Sequence, residues 1–408
     1  MLQVTARSFS LSTIFGEEPI RIMDILQFNS YDRKLLKRFV RFPWRLYQDD
    51  PNWVPPLNMD LLGNRILGVK GLLTPEHPYH LHSETTYFLA QEKGEVTGRI
   101  AATINHRHNE FHREKVGFFG FFEVVENYET ARRLLDSARK WIRDKGMELM
   151  RGPANFSSNE TWGLLIENFS DFPFLETTYN KRYYQNFLEQ YGLKKAKDII
   201  AQKIAVKPAF HNQQRSRRLQ RIASVIKEKK KISLRYLRLK NFHEETELMN
   251  QIYNKAWEKN WGFVPMDREE FLHAAENLKI VADPGLIIFA FVENEPVAFI
   301  GTVPDVNMMI KREKSIWGNS DWVRVFRIFM RRKKVKRIRL MLLGIVNEYR
   351  KTGIDSLLYT ESFSSAYRQG YEECEVSWLL EDNVLVIRAG ESMGGKNYKK
   401  WRLFDIPV

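Results

Sequence analysis

Two stretches lying half a chain apart, AQEKGEVTGRIAATI from Ala90 and AFVENEPVAFIGTV from Ala290, spell the same local structure: a strand, a two-residue turn and a second strand. This recurrence constrains the fold more than any other feature, because the segments around it recur in the same order. In the first half a strand at 22–27 and a helix at 32–47 precede the hairpin around Lys93-Gly94. A strand at 115–125, a helix at 128–145 and a strand at 147–152 follow it. In the second half a strand at 232–239, a helix at 242–259 and a shorter helix at 267–278 precede strands at 286–293 and 296–303, joined at Asn294-Glu295. An apolar strand at 338–346, a turn at 347–353, a helix, and a strand at 373–378 follow. The chain therefore reads as an internal duplication. At 408 residues it suits two domains, each able to bury its own core.

The two copies differ where the helix following the apolar strand begins. In the second copy that start is Arg350-Lys351-Thr352-Gly353-Ile354-Asp355. A helix start offers free backbone N–H groups and the positive end of the helix dipole, which together bind anions, and Gly353 allows close backbone approach. The first copy has Glu123-Val124-Val125-Glu126-Asn127, acidic and without glycine. One phosphate site, in the C-terminal half, is the expectation.

The six-residue turn, and the order of elements around it, resemble the pyrophosphate loop of the GNAT superfamily of acyl-CoA N-acyltransferases. The strings FPWRLYQDDPNWVPPL, GRIAATINHRHNEFH, GFFGFFE, GPANFSSNETWGLL, KNWGFVP and VPDVN look like a group of bacterial tandem GNAT-like proteins, near which the bacterial ceramide synthases, acylating a sphingoid-type amine, are placed. The resemblance implies an α/β fold with a mixed sheet and two tandem GNAT-like domains: a degenerate one at 23–206 and a cofactor-binding one at 207–408 with a basic insertion at 305–337. Residues 1–22, lacking the basic and apolar regions of a signal peptide, read as a leader ahead of Met23. The co-substrate would be acetyl-CoA or a longer acyl-CoA and the acceptor an amine. CoA would be held by Leu343, Gly344 and Ile345 on the splayed strand, by Arg350, Lys351, Thr352, Gly353, Ile354 and Asp355 in the loop, and by Asn383.

Two departures from the family pattern stand out. Asp355 replaces the small residue that usually closes the loop, so its carboxylate either caps the helix or opposes a phosphate. Gly390 occupies the position where many members carry a tyrosine that protonates the leaving thiolate. Glu381, with Asp382 beside it, and Tyr398 are the substitutes offered for proton transfer, and Glu381 and Asp382 also suit a helix start. Asp305 and Asn307 are candidates for the acceptor pocket. Asn155 and Ser157, with Ser158, Asn159 and Glu160, read either as a polar head-group site or as a loop capping a helix from Glu160.

Charge supplies the remaining argument. The net charge of +14 is concentrated: 207–240 holds twelve lysines and arginines with one glutamate, and 311–339 holds twelve with Glu313 and Asp321. In the second stretch Trp322, Val325, Phe326 and Phe329 share one helical face and Arg324, Arg327 and Arg331 another, the pattern of a helix on an anionic membrane surface or of a lid with a solvated basic face. Arg215 to Arg221 and Lys227 to Lys231 suit nucleic-acid phosphates, but no aromatics are interleaved for base stacking, so a non-catalytic nucleic-acid-binding protein is the secondary reading. His106, His108 and His112 lack the companions that would complete a metal site. A lone cysteine, Cys374, and no apolar run of bilayer length point to a cytoplasmic protein, at most peripheral to a membrane.

Overall fold

The computed structural model describes residues 23–211, 231–313 and 317–408, together with 221, 225 and 228. The basic runs Arg215 to Arg221 and Lys227 to Lys231 fall largely outside these residues.

The strands are β1 (Met23–Phe28), β2 (Ser83–Glu92), β3 (Glu95–Asn105), β4 (Val116–Val124), β5 (Leu149–Gly152), β6 (Ala154–Asn155), β7 (Thr161–Trp162), β8 (Leu164–Glu167), β9 (Lys194–Ala205), β10 (Ile232–Tyr236), β11 (Ile287–Val292), β12 (Glu295–Pro304), β13 (Arg337–Ile345), β14 (Glu373–Leu380) and β15 (Lys396–Pro407). All but β6 and β7 form one 13-stranded sheet with the order β1-β2-β3-β4-β5-β15-β9-β14-β13-β12-β11-β10, and β8 also pairs with β15. Read from either edge the order is the same. Among the described residues two neighbouring pairs run parallel, β4 with β5 and β13 with β14, and a helix crosses over between the members of each pair (Tyr128–Asp144 and Ile354–Arg368).

The duplication extends to single residues. Glu92 pairs with Glu95 and Val292 with Glu295, and each hairpin then shifts register, between Ala90 and Gln91 and between Ala290 and Phe291. The first turn has positive φ at Lys93 (51°) and Gly94 (81°). The second has it at Glu293 (51°) and Asn294 (72°), one residue earlier than the Asn294-Glu295 turn expected.

The strand that ends each half crosses to the other. β9 follows the N-terminal elements in sequence but pairs with β14, and β15 pairs with β5, while β9 and β15 pair with each other at the sheet's centre. Trp401, fully buried in β15, packs there with Ile199 and Leu165 from the N-terminal half. A core shared in this way ties the halves together by ladder hydrogen bonds as well as by packing.

The insertion helix, Asp321–Arg331, does not carry the solvated basic face expected of a lid. Arg324 is fully buried, donating to the carbonyls of Pro55, Pro56 (2.9 Å) and Ile310 (3.0 and 2.8 Å). Arg327 donates to Gly318 O (2.9 Å) and pairs with Glu313 (2.8 Å). Arg324 and Arg327 satisfy carbonyls at a proline turn and at the end of the one-turn helix Asn307–Ile310, so these two turn inward, Arg331 stays exposed and the aromatic face turns outward. No helix also starts at Glu160: the loop there is the small β6–β7 hairpin.

Candidate acyl-transfer site

β13 and β14 part company after four residue pairs. Arg337 to Leu340 pair with Glu373 to Val376, whereas Leu342 to Ile345 pair only with β12. Among the described residues, the β14-facing edge of Met341 to Ile345 is left as a wedge without a strand partner, placing Leu343, Gly344 and Ile345 along it. Gly344 is required by its neighbour, since a Cβ there would lie 2.5 Å from the Trp257 ring.

β13 leads into a 3₁₀ turn, Asn347–Tyr349, and then the helix Ile354–Arg368. Lys351 (φ 60°) and Gly353 (φ 89°) are left-handed, which curls the backbone so that successive N–H groups face one side. The amides from Lys351 to Ser356 have no acceptor among the described residues, and no side chain caps this helix. Asp355 therefore does not cap it, and sits half-buried in the first turn. Thr352 ties the turn through Oγ1 to Tyr349 O (2.6 Å). Arg350 donates to Ala256 O and Ile345 O (3.4 Å), fastening the loop to the end of the helix Phe242–Trp257.

The wedge opens into a cavity of about 840 Å³ lined by both halves. Met341, Leu342, Trp378 and Leu380 of the wedge contribute to its wall, with Trp53, Leu61, Phe271 and Val306 among the apolar residues beyond. Carboxylates interrupt this apolar lining. Asp60 and Glu176 point into the cavity with no hydrogen-bond or ion-pair partner among the described residues. Asp60 keeps an exposed side chain, yet the protein enclosing the cavity pushes it up to about 7, helped by the negative charges of Glu176 and Asp321. Glu176, also exposed to the cavity, is raised by the same enclosure, against the opposing charge of Arg339. Arg339 holds the Glu176 backbone at the wedge's apex, donating to Leu175 O (2.7 Å) and Glu176 O (2.9 Å). Glu160 is pushed up to about 7 by burial and by Glu270, and accepts from Ser157 N (3.0 Å) and Ser157 Oγ (2.7 Å).

The residues proposed from sequence are distributed around this arrangement. Asn155 and Asn307 line the cavity, Ser157 stands behind Glu160, and Asp305 is buried beneath. Asp305 accepts from Leu175 N (2.9 Å) and Asn307 N (3.2 Å), and burial pushes it up to about 6. Glu381 accepts from Asp198 N (3.0 Å) and pairs with Lys195 (2.7 Å), and Asp382 pairs with Lys197 (2.8 Å). Tyr398 donates to the buried Glu375, which with burial holds its phenol well above the usual range. Neither Glu381 nor Tyr398 is among the residues lining the cavity. Asn383 starts the helix Val384–Ser392 without a side-chain cap bond. A Cβ at Gly390 would lie 1.8 Å from Gln202 Oε1, so a β9 side chain takes the space a tyrosine would need.

His106 pairs with Glu84 (3.1 Å), His108 with Glu114 (3.4 Å), and His112 bonds Phe263 O (2.7 Å). Among the described residues no cluster of three or more His, Cys, Asp or Glu is placed to hold a metal ion. Cys374 is buried, which pushes its thiol up to about 12. Asp60 and Glu176 escaped sequence reasoning because neither belongs to a motif; a lone carboxylate inside a mostly apolar stretch is their only trace.

No family model matches the chain. Its fold is similar to that of a tandem GNAT protein from the clavulanic acid biosynthesis pathway, with a TM-score of 0.55 over 95% of this chain and 98% of that one at 11% identity. It is also similar to a GCN5-related glucosamine N-acetyltransferase region of a fungal multi-domain GH3 beta-N-acetylglucosaminidase (TM-score 0.54, 14% identity, 95% of this chain and 38% of that chain). The fold is thus that of the GNAT superfamily, in tandem. Among curated proteins the chain is 29% identical to protein YghO of Escherichia coli K12 over 379 residues, covering 91% of this chain and 92% of that protein. It is 30% identical to the bacterial ceramide synthase of Caulobacter vibrioides over 376 residues, covering 91% and 94%. The chain belongs to the family of tandem GNAT-like N-acyltransferases that includes this ceramide synthase.

Proposed function

We propose that the protein transfers an acyl group from an acyl-CoA to the amine of a long-chain, lipid-like acceptor. The observation that carries this reading is the continuity of three features: an uncapped helix start, an unpaired strand edge, and a large apolar cavity with ionisable carboxylates.

The free amides from Lys351 to Ser356 would receive the pyrophosphate, with Lys351 adding charge from the surface. Pantetheine would pair with the open edge of β13 at Leu343, Gly344 and Ile345, bringing the thioester to the wedge apex. An amine head entering the cavity as an ammonium would be attracted by Asp60 and Glu176, its chain lying on the apolar wall. Glu176, held at the apex by Arg339, would take the ammonium proton. The free amine would then attack the thioester carbonyl, forming the C–N bond, with a backbone N–H of the open strand steadying the oxyanion. Collapse of the tetrahedral species would break the C–S bond, the proton held by Glu176 passing to the leaving thiolate and the second proton of the attacking nitrogen passing through Glu176 to solvent. Raised carboxylates suit this exchange, because a base works best with a pKa near the operating pH. Glu381 and Tyr398 remain proposals for a proton route on the sheet's central face. The size and apolar lining of the cavity, and the name of the Caulobacter relative, support a lipid-like acceptor.

The reading is tested by incubating the protein with acyl-CoA and long-chain amines and detecting the amide by mass spectrometry. Amide formation that requires both components supports it. Hydrolysis of the thioester alone, or no turnover with any amine, would contradict it.

A further inference from the structure

The helix Asp321–Arg331 has two faces with opposite duties. Inward, Val325 and Ile328 form part of the cavity wall, and Arg324 locks the helix to Pro55, Pro56 and Ile310. Asp321 adds a second lock, accepting from Asn58 N (3.0 Å) and Met59 N (2.7 Å). Outward, Trp322 is 52% exposed, Phe326 64%, Phe329 62% and Met330 60%, and Trp317 just before the helix is 83% exposed. These residues recur at helical spacing, so they form one apolar stripe rather than scattered single residues. A helix ordinarily turns such a stripe to the core. Here the fixed arginines prevent it.

The neighbours of the stripe indicate what covers it. The helix ends on Arg331 and continues into Arg332, Lys333 and Lys334, all four exposed and none with an ion-pair partner among the described residues. Arg332 reaches Ile280 O (3.5 Å), and Ile280 both lines the cavity and is 40% exposed. Leu67, on the hairpin that follows the helix Asn58–Leu62, also lines the cavity and is 45% exposed, with Ile66 beside it 85% exposed. Apolar surface therefore runs from the stripe to the cavity's rim, and a cluster of cations borders it. A protein surface would need complementary shape and carboxylates. A bilayer carrying anionic headgroups needs only aromatic side chains at the depth of the headgroups and cations beside them.

We propose that this face docks on an anionic lipid bilayer, with Trp322, Phe326 and Phe329 inserted at the interface and Arg331 to Lys334 against the headgroups. The docking sets the rim at Leu67 and Ile280 against the membrane, so that an amphiphile can pass between bilayer and cavity without crossing water. This surface is independent of the acyl-transfer reading: a protein that bound no CoA would still dock.

Co-sedimentation with vesicles of phosphatidylcholine alone and of phosphatidylcholine mixed with phosphatidylglycerol tests the proposal. The full chain should pellet with the mixed vesicles, pellet weakly with the neutral ones, and be released by salt. The pair Phe326→Glu and Phe329→Glu should lower partitioning about tenfold or more by removing buried apolar area. The pair Lys333→Glu and Lys334→Glu should lower it by a similar factor, on the mixed vesicles alone. Both pairs alter exposed positions, so unchanged melting temperatures show that the loss belongs to the surface. Binding that neither pair weakens would overturn the proposal, as would failure of the unaltered protein to bind mixed vesicles. So would self-association without lipid that Phe326→Glu with Phe329→Glu abolishes, since the stripe would then serve a second copy of the chain.

Discussion

The two halves carry the same wedge, and only one of them is open. β4 and β5 separate after Val116 to Phe118, as β13 and β14 do after Leu340. In the N-terminal half, however, the gap is filled by the chain itself. A Cβ on Gly120 would lie 1.7 Å from Ala154 O, and Phe121 N donates to Asn155 Oδ1 at 2.6 Å. The helix start beyond is closed too, because the Asn127 side chain accepts from Thr130 N (3.1 Å). Where a pyrophosphate would sit near β4's end, Glu123 accepts from Tyr47 (2.6 Å) and Tyr184 (2.7 Å). The comparison teaches that a duplicated fold loses a ligand site by satisfying its own backbone. The half that keeps those amides unsatisfied remains free to bind.

Breaking the open half should produce the largest effect. Gly353→Glu puts a side chain into a left-handed position and a carboxylate at the helix start, and should weaken CoA binding on the order of a hundredfold, read by titration calorimetry. Next comes the cavity: Glu176→Gln removes the proposed base and should lower kcat by about 10²–10⁴ while leaving CoA affinity unchanged. The sharpest contrast comes from the plugged half. Asn155→Ala strands the Phe121 amide and should cost about 1–3 kcal/mol in denaturant unfolding, with CoA affinity in the other half little changed. The smallest effect concerns pH. Asp60 is raised in the fold, so its protonated form is the one folding favours, and its contribution is fully present below the unfolded value near 3.8 and lost as pH rises through about 7. Asp60 is exposed to the cavity, which screens this penalty, so Asp60→Asn should raise the melting temperature only slightly above pH 7 relative to the unaltered protein, with the gain vanishing in acid.

The duplication was legible because hairpins are local: Lys93-Gly94 sits between alternating strands, and the second turn was read within one residue, at Asn294-Glu295 where the structure has Glu293-Asn294. The strand, turn and uncapped helix start around Gly353 were legible for the same reason, since these elements are consecutive. The exchange of β9 and β15 was not, because strand order in a sheet depends on contacts between residues as far apart as Arg151 and Asp405. Periodicity placed Trp322 and Arg324 on different faces of their helix but says nothing of which face turns inward. That was decided by carbonyls at Pro55, Pro56 and Ile310, remote in sequence. The plug at Asn155 looked like a cap or a head-group reader, since a polar loop has many uses until its partner is known.

The central claim is that the chain has a single open wedge and that it binds CoA. Titration calorimetry of the unaltered protein with CoA measures this most directly. One CoA per chain, with heat that disappears in Gly353→Glu, is the expected result. Two CoA molecules per chain, or binding undiminished in Gly353→Glu, would contradict the account.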